Sequence, residues 1–274
     1  MRELQEAIIE EMGVKPQIDP AEEVERRVEF LASYARASGA KGFVLGISGG
    51  VDSTLAGLLS QKAVEKLRAD GYEASFHALR LPHGLQQDEA DATQAMEFIQ
   101  PDYAHTFNIE KAVTGVDVAF QEGFGRQLLD YHRGNVKARM RMIIQYAVAG
   151  EQQALVIGTD QAAESITGFF TKHGDGGADI LPLFTLNKRQ VRQILKHLGA
   201  QEHLWSKAPT ADLLDENPGQ LDEAELGISY EQIDDYLEGR EIPDDAAALL
   251  EKRYLASRHK RTVPVTLLDD WWKD

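Results

Sequence analysis

The sequence predicts an α/β fold in which a twisted parallel sheet is flanked by helices. Short apolar runs alternate with segments of helical periodicity along the 274 residues. The apolar runs are bounded by glycine or proline, which is typical of strands buried on both faces. Polar turns follow two of these runs, at the strand ends where such sheets bind ligands. No internal repeat interrupts this order, so we expect one domain over residues 1–274.

The first part of the chain predicts two helices, a strand and a third helix. "MRELQEAIIEEMG" reads as an amphipathic helix because acidic residues interrupt its apolar positions, unlike a signal peptide. "AEEVERRVEFLASYARAS" also has helical spacing. "GFVLGI" predicts a buried strand, and the helix after it is expected to be capped by Ser53 and to end at Gly71.

The middle of the chain continues the alternation. "SFHALRLP" and "YAHTFNI" predict the second and third strands, with a helix between them that ends before Pro101. Residues 113–150 are expected to be mostly helical, and residues 154–160, "ALVIGTD", to form a fourth strand. Each strand reaches the next through a helix, so the strands should run parallel.

Two later segments lack a clear period. Residues 171–184 are rich in glycine, and residues 206–227 mix Pro, Gly and acidic residues. Long segments of this kind are usually mobile lids or disordered connectors. The helix "NKRQVRQILKHLG" lies between them, and two further helices and a tail complete the chain.

Composition restricts the class of function. There is no cysteine, which excludes disulfides, thiolate metal sites and a cysteine nucleophile. The net charge of −16 and the pI near 4.9 disfavour nucleic acid as a partner. A polyphosphate ligand would therefore need a local cluster of basic residues. No apolar run reaches the roughly 20 residues of a membrane span, so we expect a cytoplasmic protein with no membrane partner.

The turn "ISGGVDST", residues 47–54, predicts a phosphate-binding loop. A strand, a Gly-Gly turn and a helix N-terminus gather free N–H groups at one point, and Ser48 and Ser53 add hydroxyl donors. Asp52 would repel phosphate unless a cation lies between them, which suggests Mg²⁺. A tight strand-to-helix turn without any ligand is the alternative.

The motif "SGGVDS" resembles the pyrophosphatase loop of the adenine-nucleotide α-hydrolase family, whose fold is Rossmann-like. Further motifs, in order, resemble the ammonia-dependent NAD⁺ synthetase family: "VKARMRM", "GTDQAAESITGFFTKHGDGGADILPL", "KAPTADLLD", "ISYEQIDDYLEG" and "HKR…DDWW". The resemblance implies a ligase that makes NAD⁺, AMP and pyrophosphate from deamido-NAD⁺, ATP and ammonia. This is the last step of NAD⁺ biosynthesis, and it passes through an adenylated intermediate.

The resemblance also implies roles for residues at matching positions. ATP would contact Gly46, Ile47, Ser48, Gly49, Gly50, Val51, Asp52, Ser53, Arg80, Thr159, Lys188 and Thr210. Deamido-NAD⁺ would contact Arg139, Lys172, Asp179, His259 and Lys260. Asp52 and Glu164 would bind Mg²⁺. Lys188 would neutralise charge as pyrophosphate leaves, and the hypothesis for Asp175 is that it holds ammonium or takes its proton.

Several of these residues have plainer interpretations. Glu164 also suits the first turn of a helix, Arg139 a solvated helix face, and Asp175 an Asp-Gly turn. Arg80 is equally consistent with an exposed arginine at a strand end.

At the level of function, the alternatives are another enzyme of the loop family, such as GMP synthetase or a tRNA-modifying ligase, and a nucleotide sensor without turnover. Since cysteine is absent, a glutaminase domain is not expected and free ammonia is the predicted donor. The resemblance further implies a homodimer with the deamido-NAD⁺ site at the subunit interface.

Overall fold

A computed structural model describes residues 2–84, 89–211, 213–216 and 219–273. A four-stranded sheet with the strand order β3-β2-β1-β4 lies at its centre. All three pairings within this sheet are parallel, as predicted; Phe43 of β1, for example, is in register with Phe76 of β2 and Leu155 of β4. The strands are β1 Gly42–Gly46, β2 Ser75–Arg80, β3 Tyr103–Thr106 and β4 Leu155–Val156.

The helices follow the predicted alternation. Before residue 200 they are α1 Glu3–Met12, α2 Pro20–Ser38, α3 Val51–Ala69, α4 Glu89–Ile99, α5 Glu110–Phe124, α6 Asp130–Gln152, α7 Ala162–Thr167 and α8 Lys188–His197. After it they are α9 Glu202–Ser206, α10 Asp222–Leu226, α11 Tyr230–Leu237, α12 Asp244–Ala256 and α13 Arg258–Arg261. No helix in the described part of the chain is long and apolar enough to cross a membrane.

Helices cover both faces of the sheet because successive strand residues point to opposite sides. Phe43 and Leu45 pack with residues of α2, α3, α4, α8 and α9. Val44 and Leu79 pack on the other face with residues of α5 and α6. A third apolar cluster joins α1, α7, α11 and α12 beside the sheet. The carboxyl ends of the strands remain open between these layers, where a ligand can enter.

The structure corrects the predicted limits of α3. The helix begins at Val51, with Gly50 rather than Ser53 at its N-cap, and its C-cap is Asp70 rather than Gly71. Ser53 lies inside the first turn, where its hydroxyl donates to the carbonyl oxygen of Gly50 at 3.2 Å. The hydroxyl therefore binds within the loop instead of capping the helix.

Two other predictions are corrected. The fourth strand is only Leu155–Val156, followed by a single bridge from Ile157 to Ile180. Residues 206–227 are not wholly irregular, because β5 Thr210–Ala211 pairs antiparallel with β6 Gln220–Leu221 and leads into α10. Short-range pairing of this kind carries little signal in a sequence of Pro, Gly and acidic residues. Residues 171–184 form turns without a helix or named strand, as their glycine content predicted.

Candidate active site

A cavity of about 590 Å³ opens at the carboxyl ends of β1, β2 and β4. This volume lies within the range usual for small-molecule sites. Most of the residues predicted to bind ATP or metal, or to act in catalysis, line it: Gly46, Ile47, Ser48, Gly50, Val51, Asp52, Ser53, Thr159, Glu164, Asp175, Lys188 and Thr210. The predicted nucleotide site is thus one continuous surface.

Gly49 lies behind the cavity wall, where the loop turns against α4. Its φ is +82°, and a Cβ atom there would lie 2.6 Å from the backbone nitrogen of Ala92. Both the left-handed conformation and the close approach of α4 therefore require glycine. Gly49 shapes the loop rather than lining the cavity.

The serines of the loop brace its backbone. The Ser48 hydroxyl accepts a hydrogen bond from the Gly50 N–H at 3.2 Å and lies 3.0 Å from the Ser53 hydroxyl. No described side chain caps the N-terminus of α3. Its first-turn N–H groups thus stay available for an anion, and the helix dipole favours negative charge at that point.

Lys188 joins the two predicted metal ligands. Its Nζ lies 2.6 Å from Asp52 Oδ2 and 3.2 Å from Glu164 Oε1. The lysine is only 2% exposed, and the ring of Tyr230 lies 4.7 Å from the ammonium. Burial by itself would lower the pKa of Lys188, but the attraction of Asp52 and Glu164 outweighs it and raises that pKa well above its usual range. Lys188 is therefore an ammonium ion.

The start of α8 fixes the position of Lys188. Asn187 and Gln190 form a capping box there. Asp234 of α11 accepts hydrogen bonds from the backbone N–H groups of Lys188 at 3.1 Å and Arg189 at 2.7 Å. A cation in the first turn of a helix is unfavourable, and the carboxylates of Asp52 and Glu164 offset this.

The predicted metal ligands suit a magnesium–nucleotide complex better than a free ion. Asp52 Oδ1 is buried and has no hydrogen-bond partner in the described structure. No group of three or more His, Cys, Asp or Glu residues that could hold a metal occurs among the described residues. Two carboxylates leave most of an octahedral shell to phosphate oxygens and water, which is how Mg²⁺ is commonly held.

A second cavity, of about 420 Å³, shares its walls with the first at Tyr131, Asn135, Thr171, His259 and Lys260. Four of the five residues predicted to bind deamido-NAD⁺ line it: Arg139, Lys172, His259 and Lys260. The structure thus supplies the local basic cluster that the acidic net charge made necessary for a phosphate ligand.

Hydrogen bonds to backbone carbonyls hold this cluster together. The Arg139 guanidinium donates to the Lys172 carbonyl oxygen at 3.3 Å, and the Lys172 ammonium donates to the carbonyl oxygen of His259. Lys260 donates to the carbonyl oxygens of Gly168 and Phe170, both at 2.8 Å.

Asp179 and Arg80 lie outside both cavities. The carboxylate of Asp179 accepts from the Tyr146 hydroxyl at 3.0 Å and the Val156 N–H at 2.8 Å, so it braces β4. Arg80 is buried at the end of β2, 3.6 Å from a carboxylate oxygen of Glu89. Their contacts with deamido-NAD⁺ and ATP remain predictions.

Asp175 faces the first cavity from the turn after Phe170. Its Oδ1 accepts the Thr171 N–H at 3.0 Å. The enclosing cavity wall raises the pKa of Asp175, while the hydrogen bonds from Thr171 and the charge of Lys260 oppose the increase. Asp160, which is buried nearby, has an unpartnered Oδ1 among the described contacts. Burial, reinforced by the charge of Asp175, raises the pKa of Asp160 to about 7.

The structure adds residues that the sequence interpretation missed. Arg141 lines the cavity and donates to the Leu81 carbonyl oxygen at 3.0 Å, and Gln145 accepts from the Gly46 N–H at 2.8 Å. Both lie on the face of α6 that meets the end of β1, and their spacing of four residues was a usable signal. Tyr230 and Asp234, which contact Lys188, were also missed, and they too are four residues apart, within "ISYEQIDDYLEG".

Comparison with known proteins gives one consistent family. The sequence profile of the NAD synthase family matches residues 23–264. An NH₃-dependent NAD⁺ synthetase of Bacillus licheniformis is 60% identical over 98% of this chain and 99% of its own, and that of Leifsonia xyli is 55% identical over 99% and 98%.

Solved structures agree with the sequence comparison. NAD⁺ synthetase from Burkholderia pseudomallei has a TM-score of 0.82 and 49% identity over 95% of this chain and 96% of its own. NMN synthetase from Francisella tularensis has the same TM-score and 35% identity over 92% of this chain and all of its own. With a Gly-Gly loop before α3, a basic cavity beside it and this similarity along nearly the whole length, the chain belongs to the NAD synthase family.

Proposed function

We propose that this protein is a ligase that amidates deamido-NAD⁺ with ammonia at the expense of ATP, in the last step of NAD⁺ biosynthesis. A carboxylate oxygen of deamido-NAD⁺ attacks the α-phosphorus of ATP, and pyrophosphate leaves. Ammonia then attacks the adenylated carbonyl carbon, a proton is lost and AMP leaves. One observation carries the proposal: the phosphate loop and the basic cluster line two cavities that share a wall.

The loop after β1 would bind the polyphosphate of ATP, with Thr159, Thr210 and Arg80 completing the nucleotide contacts. The N–H groups of α3 favour negative charge, and Lys188 stands at the same rim. As the bond to pyrophosphate breaks, the ammonium of Lys188 would stabilise the departing charge. Fixed charges that face the position where negative charge develops are effective at such a step.

Asp52 and Glu164 would hold Mg²⁺ together with phosphate oxygens. When bound, the ion neutralises polyphosphate charge and orients the phosphates. The unpartnered Oδ1 of Asp52 supports this assignment, because a buried carboxylate oxygen normally has a donor or a cation beside it.

The basic cavity would hold deamido-NAD⁺ through Arg139, Lys172, His259 and Lys260, with Asp179 as a further contact. The shared wall would place the nicotinate carboxylate near the α-phosphate. Asp175, beside that wall, would hold ammonium or accept its proton. Its raised pKa makes the carboxylate a better base than an ordinary aspartate.

We further propose that residues 1–274 form a single domain. We also propose that two such chains form a homodimer, and that the protein is located in the cytoplasm. Large apolar side chains are exposed on α5 and α6, among them Val118, Phe124, Tyr131 and Ile143. Patches of this kind usually mark a protein interface. Tyr131 also lines the basic cavity, so a partner subunit on this face would enclose deamido-NAD⁺.

Product analysis tests the reaction. The purified protein is incubated with ATP, Mg²⁺ and deamido-NAD⁺, with ammonium or glutamine as the nitrogen donor. We expect NAD⁺ and AMP in equal amounts with ammonium and none with glutamine. Nicotinate mononucleotide is the control acceptor, because a relative at 35% identity is an NMN synthetase. Preferential amidation of the mononucleotide would reassign the acceptor, and binding of ATP without AMP release would favour a sensor.

A further inference from the structure

The ammonium of Lys188 occupies the position between the two carboxylates that the proposed function assigns to Mg²⁺. It lies 2.6 Å from Asp52 Oδ2 and 3.2 Å from Glu164 Oε1. The contact to Asp52 is as short as a charge-assisted hydrogen bond, and the contact to Glu164 is a longer salt bridge, so the two carboxylates share one cation. A metal bound by both would have to share this space with the ammonium or displace it.

The surroundings of Lys188 oppose its displacement. The side chain is almost fully buried, the ring of Tyr230 lies 4.7 Å from Nζ, and Asp234 binds the backbone at the start of α8. The Tyr230 hydroxyl in turn donates to Asp222 Oδ2 at 3.2 Å. The lysine is therefore held in place from its backbone to its ammonium group.

The charges of Asp52, Glu164 and Lys188 indicate which ligand can separate the ammonium from the carboxylates. These three groups, two carboxylates and one ammonium, together carry a single negative charge, and a divalent ion bound by the carboxylates would also lie beside the repelling ammonium. A nucleotide triphosphate changes this balance, because its phosphate oxygens provide both new metal ligands and a new partner for Lys188.

We propose that Lys188 acts as an internal counter-ion that excludes divalent metal from the nucleotide-free site, so that the metal enters only together with a nucleotide triphosphate. This inference rests on the proposed function, since it takes Asp52 and Glu164 as the metal ligands. It makes Lys188 a residue that sets the order of binding as well as one that contacts phosphate. Without a metal, the nucleotide-free site keeps the Lys188 ammonium as the partner of both carboxylates.

Binding of Mn²⁺ alone, followed by electron paramagnetic resonance of the free ion, tests the inference on the full chain. We expect the wild type to show no saturable binding without nucleotide and clear binding with α,β-methylene-ATP. Lys188→Gln removes the ammonium and should bind Mn²⁺ without nucleotide at least about tenfold more tightly than the wild type. Lys188→Arg keeps the charge and should behave like the wild type.

Two further variants locate the site. Lys188→Gln combined with Asp52→Asn should lose the acquired Mn²⁺ binding. Lys137→Gln is the matched control, because Lys137 is also a buried lysine paired with a carboxylate, that of Asp215. It should leave Mn²⁺ binding as in the wild type.

Tight binding of Mn²⁺ by the nucleotide-free wild type would overturn the inference, and this holds even if Lys188→Gln fails to fold. A folded Lys188→Gln protein that gains no Mn²⁺ affinity would overturn it as well. If the wild type forms NAD⁺ from ammonium and deamido-NAD⁺, either of these two results leaves the proposed function intact. A wild type that forms no NAD⁺ contradicts the function instead.

Discussion

The Nζ of Lys137 donates a 3.0 Å hydrogen bond to the carbonyl oxygen of Leu213. It thereby fixes the segment after β5 to α6, and the Lys137 ammonium also pairs with Asp215. The Asp130 carboxylate accepts the backbone N–H groups of Asp215 and Glu216, both at 3.0 Å. The same helix carries Arg139 and Arg141, which line the two cavities, so the docking of this segment and the cavity walls both depend on α6.

Replacing Lys137 by Met should loosen the segment of residues 213–216. The change removes a buried charge that binds both a backbone carbonyl and Asp215, and losing such contacts costs about 1–3 kcal/mol locally. We expect faster proteolysis between β5 and β6, measured by mass spectrometry of the fragments. Lys111→Met, on the exposed surface of α5, is the control. Equal cleavage rates in the two variants would contradict this role of Lys137.

Gly49→Ala should distort the phosphate loop. The φ of +82° disfavours alanine, and its Cβ would lie 2.6 Å from the backbone nitrogen of Ala92. We expect a stability loss of about 1–3 kcal/mol and weaker ATP binding, measured by thermal unfolding and calorimetry. The control is Gly115→Ala within α5, where a Cβ meets no atom within 4 Å. That change should stabilise the helix slightly, so a larger loss there than at Gly49 would refute the argument.

Asp175→Asn should raise the ammonium requirement. The amide cannot accept a proton from ammonium, and the loss of a general base typically costs about 10²–10⁴-fold. We expect kcat/KM for ammonium to fall within that range while ATP binding is unchanged. Steady-state kinetics at several ammonium concentrations measures the first quantity and calorimetry the second. Unchanged kinetics would remove Asp175 from the mechanism and leave it a turn residue.

Asp160 should make stability depend on pH. Burial raises its folded-state pKa from 3.8 to about 7, so between these values the folded protein holds a proton that the unfolded chain releases. The protonated Asp160 therefore favours the folded state fully below pH 3.8, and this contribution to the free energy of unfolding is lost as the pH rises toward about 7.

Asp160→Asn should remove that loss. Relative to the wild type, the variant should gain up to about 2–4 kcal/mol between about pH 5 and about pH 8. Chemical denaturation at both pH values measures this gain, with the exposed Asp270→Asn as control. A difference between variant and wild type that does not change with pH would show that Asp160 is not protonated in the folded state.

Ile143→Glu should dissociate the proposed dimer. Ile143 is 48% exposed on α6, and a carboxylate at the centre of an apolar interface is strongly unfavourable. We expect a monomer by light scattering, with a raised KM for deamido-NAD⁺. Phe30→Glu tests a side chain of similar exposure on α2, away from that face. Dissociation by Phe30→Glu and not by Ile143→Glu would place the interface elsewhere.

Short apolar runs that alternate with helical segments were sufficient to predict the parallel sheet, and the Gly-Gly turn was sufficient to predict the loop after β1. They act over a few residues, where backbone sterics decide the outcome. The cap of α3 was mispredicted because the Ser53 hydroxyl can either cap a helix or bind within the loop. In the structure it donates to the carbonyl oxygen of Gly50. The β5–β6 pairing was missed because two-residue strands in a segment of Pro, Gly and acidic residues carry little signal in the sequence.

The sequence alone determined the alternation of strands and helices, the glycine turn and the family to which its motifs belong. These are local patterns of chain conformation and side-chain chemistry. The tertiary structure decided that Lys188 lies between Asp52 and Glu164, which are 136 and 24 positions away from it along the chain. It also decided that Asp179 braces β4 instead of facing a cavity. Such contacts depend on the packing of distant elements, which sequence spacing does not encode.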